Sequence, residues 1–575
     1  MSEEASKLPK DIAAAEGKVN VQINGTWHRF PRGTRIADAC RSVGVPIPCF
    51  CYHPKLAVAG SCRMCMVEQG MPPRLAPGQT PSYDENGYQW MPRPIISCAN
   101  TVAENMGIRT DSPLASEARR GVMEFLLTSH PLDCPICDQA GECKLQEYSN
   151  DYGQVEGRFE EKKTKKGKNL SIGPRVNLDQ ERCVLCGRCV HFMRDIMHDE
   201  VLTMSQRGTF NAITVYPGRE LDSNYSMNTV DLCPVGALTS KDFRFKMRVW
   251  FLKETKTIDV DCGTGTNITL WTREDKVYRI TPRQNDAVNS CWMPDSHRLN
   301  YKYINAETRI PQPVIRTDAE APHRPSTWEP ALASAAEAVK RIAPNQLAII
   351  ASGRMTNEEL YMVRHLAAQI GTDMVDIVPR MGESDGMLIS ADRNPNTNGA
   401  RLVLDIEPGS RLDAIREGVR SGSIKGILSL GEDLISPEAG FTAEDLDKLD
   451  YLFMTAHSAN ETARHADLVL PGVTYAEKFG TMINVTGRIQ RLNRAIQPIG
   501  YARDDWQIFR DITLLLGGNP ALKDFNSALD ILTAMSTEYG ALNGVSWGSI
   551  GDGGQPILET GVTIPVVERE KNQGR

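Results

Sequence analysis

Two short runs of alternating apolar and polar side chains, VNVQI and TWHRF, flank Asn24-Gly25 between residues 18 and 48. Alternation around an Asn-Gly pair predicts a two-residue β-hairpin. A short helix is predicted over IADACRSVG, ending on Gly44, and a loop then carries the chain from Cys49 to Cys65. Residues 70–94 are rich in Pro, Gly and polar side chains, which predicts an inserted loop. From Ser112 to Asn150 the apolar positions take a helical spacing, most clearly in ASEARRGVMEFLLTSH. EEKKTKKGKN (160–169) is a charge run and reads as a solvated linker. Strands are predicted again at TIDVDC, NITLWTR and KVYRITP. Beyond about residue 311 the pattern becomes strand then helix: QLAIIASG precedes NEELYMVRHLAAQIG, and RLVLDIEPG, IKGILSLG and YLFMTAH are further strand candidates. That alternation predicts a doubly wound α/β region.

The 575 residues suggest several domains, and 41% apolar with 24% charged residues is ordinary for a globular protein. A net charge of −7 leaves no basic excess for a nucleic-acid partner. No run approaches the roughly 18 apolar residues that a membrane span needs. The start, MSEEASKLPKDIAAAEG, resembles neither a secretory signal nor an Arg-rich transit peptide. All fifteen cysteines lie before position 292. Spacing of this kind points to metal or redox chemistry and not to a secreted disulfide framework.

The first constellation is Cys51-x10-Cys62-x2-Cys65, with Cys98 following 33 residues later. Thiolates on one tight loop can wrap an inorganic core, and the hairpin, short helix and loop resemble a plant-type [2Fe–2S] ferredoxin, where the first spacing is shorter. A zinc site at Cys62 and Cys65 is the alternative. The second constellation, His130-x3-Cys134-x2-Cys137-x5-Cys143, fits either a zinc site of three thiolates and an imidazole or a His-ligated [4Fe–4S] cluster. The third, Cys183-x2-Cys186-x2-Cys189 with a remote Cys233-Pro234, is the bacterial [4Fe–4S] ferredoxin signature, present once. Cys40, Cys49, Cys262 and Cys291 are left over. Cys40 reads as a core residue, and Cys49, two residues before Cys51, competes as a ligand.

The order of PCFCYHPKLAVAGSCRMCMVE, TSHPLDCPICDQAGECKLQ, ERCVLCGRCVHFMRD and DLCPVGALTSK resembles the large iron–sulfur subunit (the 75 kDa type) of respiratory complex I, the proton-pumping NADH:quinone oxidoreductase. The resemblance implies that Cys51, in preference to Cys49, joins Cys62, Cys65 and Cys98 on one [2Fe–2S] cluster. It puts His130, Cys134, Cys137 and Cys143 on one [4Fe–4S] cluster, and Cys183, Cys186, Cys189 and Cys233 on another. The implied fold is α+β and multidomain. A β-grasp ferredoxin-like [2Fe–2S] domain (18–100) precedes a helical [4Fe–4S] segment with one histidine and three cysteine ligands (101–150) and a [4Fe–4S] ferredoxin-like domain (170–250). A degenerate [4Fe–4S] N-terminal domain of molybdopterin-oxidoreductase type (254–310) and an α/β scaffold of that class (311–575) complete it.

Some family members keep a further [4Fe–4S] site with spacing C-x2-C-x3-C-x27-C. Here those positions are Asp259, Cys262, Thr266 and Pro294, with Cys291 three residues from the last. One thiolate cannot hold a cubane, so the resemblance implies an empty fourth site. No thiol follows Cys291, and no molybdopterin is expected. HADLVLPGVTYAEKFGTMINVTGRIQR (465–491) resembles the family's late strand and loop, read as scaffold with Gly480 and Gly487 as turn residues.

The function implied is a one-electron relay. Electrons would pass from a flavin subunit that oxidises NADH into the [2Fe–2S] site, through the ferredoxin-like [4Fe–4S] site to the His-ligated one, and on to a small subunit with two [4Fe–4S] clusters. Quinone would be reduced further along, and this chain would do no substrate chemistry. The expected place is peripheral, on the cytoplasmic face of a bacterial inner membrane, held by partner subunits. Alternatives are the equivalent subunit of an NAD-linked hydrogenase or formate dehydrogenase, an active molybdenum or tungsten enzyme, and a zinc-stapled interaction protein.

Overall fold

The computed structural model describes residues 17–72, 87–316 and 321–572, so the acidic start and most of the predicted insertion lie outside the described residues. The chain divides into two units, one running to Trp250 and one starting at Phe251.

The first unit opens with β1 (Lys18–Ile23) and β2 (Thr26–Pro31), antiparallel with Val21 opposite His28. Asn24 and Gly25 both take positive φ, 48° and 87°, the turn that matches strand twist. Val19, Val21 and Ile23 enter the core, covered by α1 (Ile36–Ser42) through Ile36, Ala39 and Cys40. β3 (Met66–Met71), β4 (Gln89–Trp90), β5 (Ile95–Ile96) and β6 (Met106–Arg109) complete a sheet of order β2-β1-β6-β3-β4, with β5 on β3. β1 and β6 are parallel, as in a β-grasp.

Ser112 caps α2 (Pro113–Ser129), its hydroxyl accepting the Ala115 N–H. Residues 112–150 are not continuously helical. The chain leaves α2 at His130, makes a single 3-10 turn at Cys134–Ile136, and resumes in α3 (Lys144–Tyr152). Pro131 and Pro135 withhold backbone donors, and Gly141 turns at φ 90°. The charge run that follows is mostly exposed, yet Lys163 donates to the Leu127 and Thr128 carbonyls and Lys168 pairs with Asp133, Asp179 and Glu181. β7 (Leu170–Ser171), β8 (Val176–Leu178), α4 (Arg188–His191), β9 (Leu202–Ser205), β10 (Ala212–Val215), α5 (Asn228–Leu232) and β11 (Leu238–Ser240) build a small ferredoxin-like body. A π-turn over Phe192–Ile196 continues α4.

The second unit begins with a meander of β12 (Lys253–Ile258), β13 (Asn267–Arg273) and β14 (Lys276–Pro282), followed by the short α6 (Asp295–Arg298). After β15 (Val314–Ile315) and β16 (Arg324–Pro325) come α7 (Trp328–Arg341), β17 (Leu347–Ala351), α8 (Asn357–Ile370), β18 (Val375–Ile377), α9 (Thr397–Leu404), α10 (Leu412–Ser421) and β19 (Gly426–Leu430). α11 (Ala443–Leu446), β20 (Tyr451–Ala456), α12 (Glu461–His465) and β21 (Leu468–Pro471) complete the doubly wound part. Its sheet runs β16-β15-β21-β20-β19-β17-β18, parallel from β21 to β18.

Two expectations are corrected in this unit. RLVLDIEPG is not a strand: Arg401–Leu404 finish α9, which Asp405 ends at φ 54°. Three apolar residues in a row fit a buried helical face as well as a strand. Gly480 is not a turn residue, because it opens β22 (Gly480–Ile483), where a Cβ would meet Thr356 at 2.6 Å. Gly487, at φ 77°, does turn the chain into β23 (Arg488–Leu492).

A capping box starts α8: the Thr356 hydroxyl accepts the Glu359 N–H at 3.2 Å while the Glu359 carboxylate accepts the Thr356 N–H at 2.8 Å. Thr356→Ala is expected to cost about 1 kcal/mol and lower the unfolding midpoint of this unit by about 2–4 °C in scanning calorimetry. An unshifted midpoint would show that the cap contributes nothing.

Candidate metal centres

All four thiols of the first constellation converge. Cys65 Sγ lies 3.3 Å from Cys98 Sγ, and the Phe50 N–H points at Cys62 Sγ from 3.4 Å. Cys51 accepts from the thiols of Cys62 and Cys98, which pulls it well below the ordinary thiol range. The Cys98 thiol likewise brings Cys65 down to about 6, whereas Cys62 and Cys98, as the donors, are held up. Cys49 points elsewhere, toward the Tyr52 carbonyl at 3.7 Å. Arg63 at φ 60° and Gly60 at φ 62° let the loop curl around this group.

The second constellation hangs on the broken helix. Cys134 is exposed, Cys137 and Cys143 are buried, and burial lowers His130 to about 4, leaving its imidazole neutral and able to ligate. Burial also raises Cys137 and takes Cys143 up to about 11. The Arg182 guanidinium donates to Asp133 at 2.8 Å, tying the loop to the chain just before Cys183.

Cys183, Cys186, Cys189 and Cys233 line one apolar pocket, whose other walls include Leu178, Ile213 and Leu238. Leu185 at φ 53° and Gly187 at φ 78° curl the loop, and the Leu185 N–H lies 3.4 Å from Cys183 Sγ. Desolvation raises Cys183 and Cys186 to about 12, and Cys189 further. In such a pocket a thiolate persists only against a bound cation, which is the donor chemistry an iron–sulfur cluster requires.

The three groups share one core. Cys51, Cys143 and Cys186, one from each constellation, are buried together with Phe50, Met64, Met123 and Val235. Phe50 packs edge-on to Tyr148 of α3 at 5.3 Å. Arg188 donates to the Tyr52 carbonyl and, at 3.3 Å, to the Leu232 carbonyl, so one guanidinium bridges the first and third groups. Gly236 brings the turn after Cys233 against the second loop, where a Cβ would lie 2.4 Å from Cys137 Sγ. Phe50, Tyr148, Arg188 and Gly236 escaped the sequence reading. Only the glycine in CPVGAL carried a signal for it.

In the second unit, Ser352, Arg354, Gly431, His457, Lys478 and Asp505 line a cavity at the carboxyl ends of the parallel strands. Lys478 is buried there on Glu359 at 2.7 Å and Asp505 at 3.5 Å.

Five family models match the chain. A 2Fe-2S iron-sulfur cluster binding domain covers residues 16–113, the NADH-ubiquinone oxidoreductase-G iron-sulfur binding region 119–158, and the ferredoxin-like domain of NADH-quinone oxidoreductase subunit 3 covers 173–239. An NDSU1-type 4Fe-4S domain of NADH-ubiquinone oxidoreductase matches 252–302, and molybdopterin oxidoreductase 393–513. The chain is 31% identical to the mitochondrial NADH-ubiquinone oxidoreductase 78 kDa subunit of Neurospora crassa, over 89% of this chain and 82% of that one. It is 30% identical to the G-type NADH-quinone oxidoreductase subunit of Rickettsia felis, over 86% and 87%. Among solved structures, an NAD+-reducing [NiFe]-hydrogenase in the H2-reduced state is 26% identical, covering 40% of this chain and 91% of that one at a TM-score of 0.34.

Gly236→Ala is expected to displace the Cys137 sulfur, with close to four irons lost per chain by elemental analysis. Full retention of iron would show that this approach is not required.

Proposed function

The chain belongs to the family of the large iron–sulfur subunit of NADH-quinone oxidoreductase (the G-type or 78 kDa subunit), and on that premise we propose how its ligands divide and which neighbours they serve. Its function is electron transfer by bound iron–sulfur clusters within that enzyme complex. Cys51, Cys62, Cys65 and Cys98 hold one [2Fe–2S] cluster. His130, Cys134, Cys137 and Cys143 hold one [4Fe–4S] cluster, and Cys183, Cys186, Cys189 and Cys233 another. When bound, the clusters supply one-electron redox chemistry. The chain shields most of the sulfurs from water, donates backbone N–H groups to them, and fixes their spacing.

The observation that carries this reading is the shared core, in which a cysteine from each of the three groups meets the same buried side chains. Separate zinc staples would have no need of a common apolar core. Within the complex, the Cys51 loop serves the NADH-oxidising flavin subunit, by carry-over from the family. The Cys134 end serves the small ferredoxin-like subunit. Supporting the second assignment, Phe125, Leu132 and Ile136 around exposed Cys134 are 80%, 82% and 66% exposed, an apolar surface suited to a protein partner. The complex sits at the cytoplasmic face of a bacterial inner membrane. No helix among the described residues is long and apolar enough to cross a membrane, so attachment runs through partners.

Low-temperature EPR of reduced variants tests the division. His130→Ala is expected to alter one [4Fe–4S] signal and leave the [2Fe–2S] signal unchanged, and Cys65→Ser to do the reverse. Loss of only the [2Fe–2S] signal in His130→Ala would contradict the ligand sets.

A further inference from the structure

The segment matched by the fourth iron–sulfur model does not fit a cubane. Of the positions Asp259, Cys262, Thr266 and Pro294, one carries a thiolate, and Cys291 is not in the group that converges there. Something else has assembled in its place. Asp259, Cys262 and His297, which lies three residues beyond Pro294 on α6, bring a carboxylate oxygen, a sulfur and an imidazole nitrogen within 4.8 Å of one another. They are 3%, 0% and 8% exposed.

We propose that Asp259, Cys262 and His297 bind a single zinc ion, replacing a cluster site by a mononuclear one. The donor set is suited to a borderline-soft divalent ion: imidazole and thiolate select against magnesium and calcium, and the carboxylate balances charge. With neutral imidazole, one carboxylate and one thiolate, a divalent ion leaves the buried site uncharged. The donors of a tetrahedral zinc lie roughly 3.3–3.6 Å apart. His297 Nδ1 and Asp259 Oδ2 stand at 2.7 Å, so a small opening of that pair admits the ion.

The surroundings hold these donors in place. Backbone N–H groups of Thr264 and Ser390 point at the Cys262 sulfur, as the sulfur of a thiolate ligand requires. The second Asp259 oxygen accepts the Asp261 N–H at 3.4 Å. Thr266, at the third cubane position, is 1% exposed with a hydroxyl that has no hydrogen-bond partner, and its carbonyl accepts the Asp259 N–H at 2.8 Å. Access is available too, because Asp261, Asn300 and Tyr303 line the neighbouring cavity. The ion would tie the end of β12, the Cys262 turn and α6 to one point, three segments that a cubane would otherwise have joined.

Elemental analysis and zinc K-edge absorption on the whole chain from zinc-supplemented cells test the assignment, because neither reading is confused by iron. The expected result is close to one zinc per chain, with a single sulfur at about 2.3 Å and nitrogen or oxygen donors at about 2.0 Å. Cys262→Ser and His297→Gln should each lower zinc by roughly tenfold or more with iron unchanged. The sulfur count in the unmodified chain stands whether or not the variants fold. Far less than one zinc, zinc unmoved in both variants, or a shell of three sulfurs (which would put the ion at Cys134, Cys137 and Cys143) would overturn the proposal. So would four further irons, which would restore the cluster.

Discussion

A thiol taken out of water keeps its proton unless a cation or a hydrogen-bond donor stands beside it, and the first half of this molecule is organised around that constraint. Desolvation drives Cys143, Cys183, Cys186 and Cys189 above the ordinary thiol range. The apolar packing that would stabilise an ordinary core is here unfavourable to the charged ligand form, and the balance is restored only by bound iron. Folding and metal loading are therefore linked in this unit. The local devices serve the same end: Leu185, in a left-handed turn, donates its backbone N–H toward Cys183, and Arg188 supplies a fixed positive charge between two of the groups.

Spacing made the candidate ligands stand out, because a cluster must be wrapped by a short loop and loop length is written in the sequence. The Asn24-Gly25 hairpin and the α8 boundaries were legible for the same local reason. Where the sequence failed, the determinant was long-range. Arg188 reaches the Tyr52 carbonyl across 136 residues, and Gly236 matters for its approach to Cys137 and not for any turn. The break in the predicted 112–150 helix was signalled by Pro131, Pro135 and Gly141, but apolar periodicity outweighed them. RLVLDIEPG was misread because a short apolar run carries no period of its own.

The second unit keeps a doubly wound sheet while Cys262 is the one cysteine left at the four cubane positions. Its stability does not depend on a cluster. The parallel strands bury continuous apolar runs such as Leu347–Ala351, and Arg309, itself buried, pairs with Glu477 at 2.6 Å. Ion pairs of that kind are costly to break and add modestly to stability, so the apolar core carries the fold.

The measurement that bears most directly on the central claim is Mössbauer spectroscopy with iron quantitation on anaerobically purified, iron-57-enriched chain. Three clusters on one shared core predict about ten irons, in a ratio of one [2Fe–2S] to two [4Fe–4S]. About six irons would remove one of the two [4Fe–4S] sites from the set, and absence of iron would contradict the account altogether.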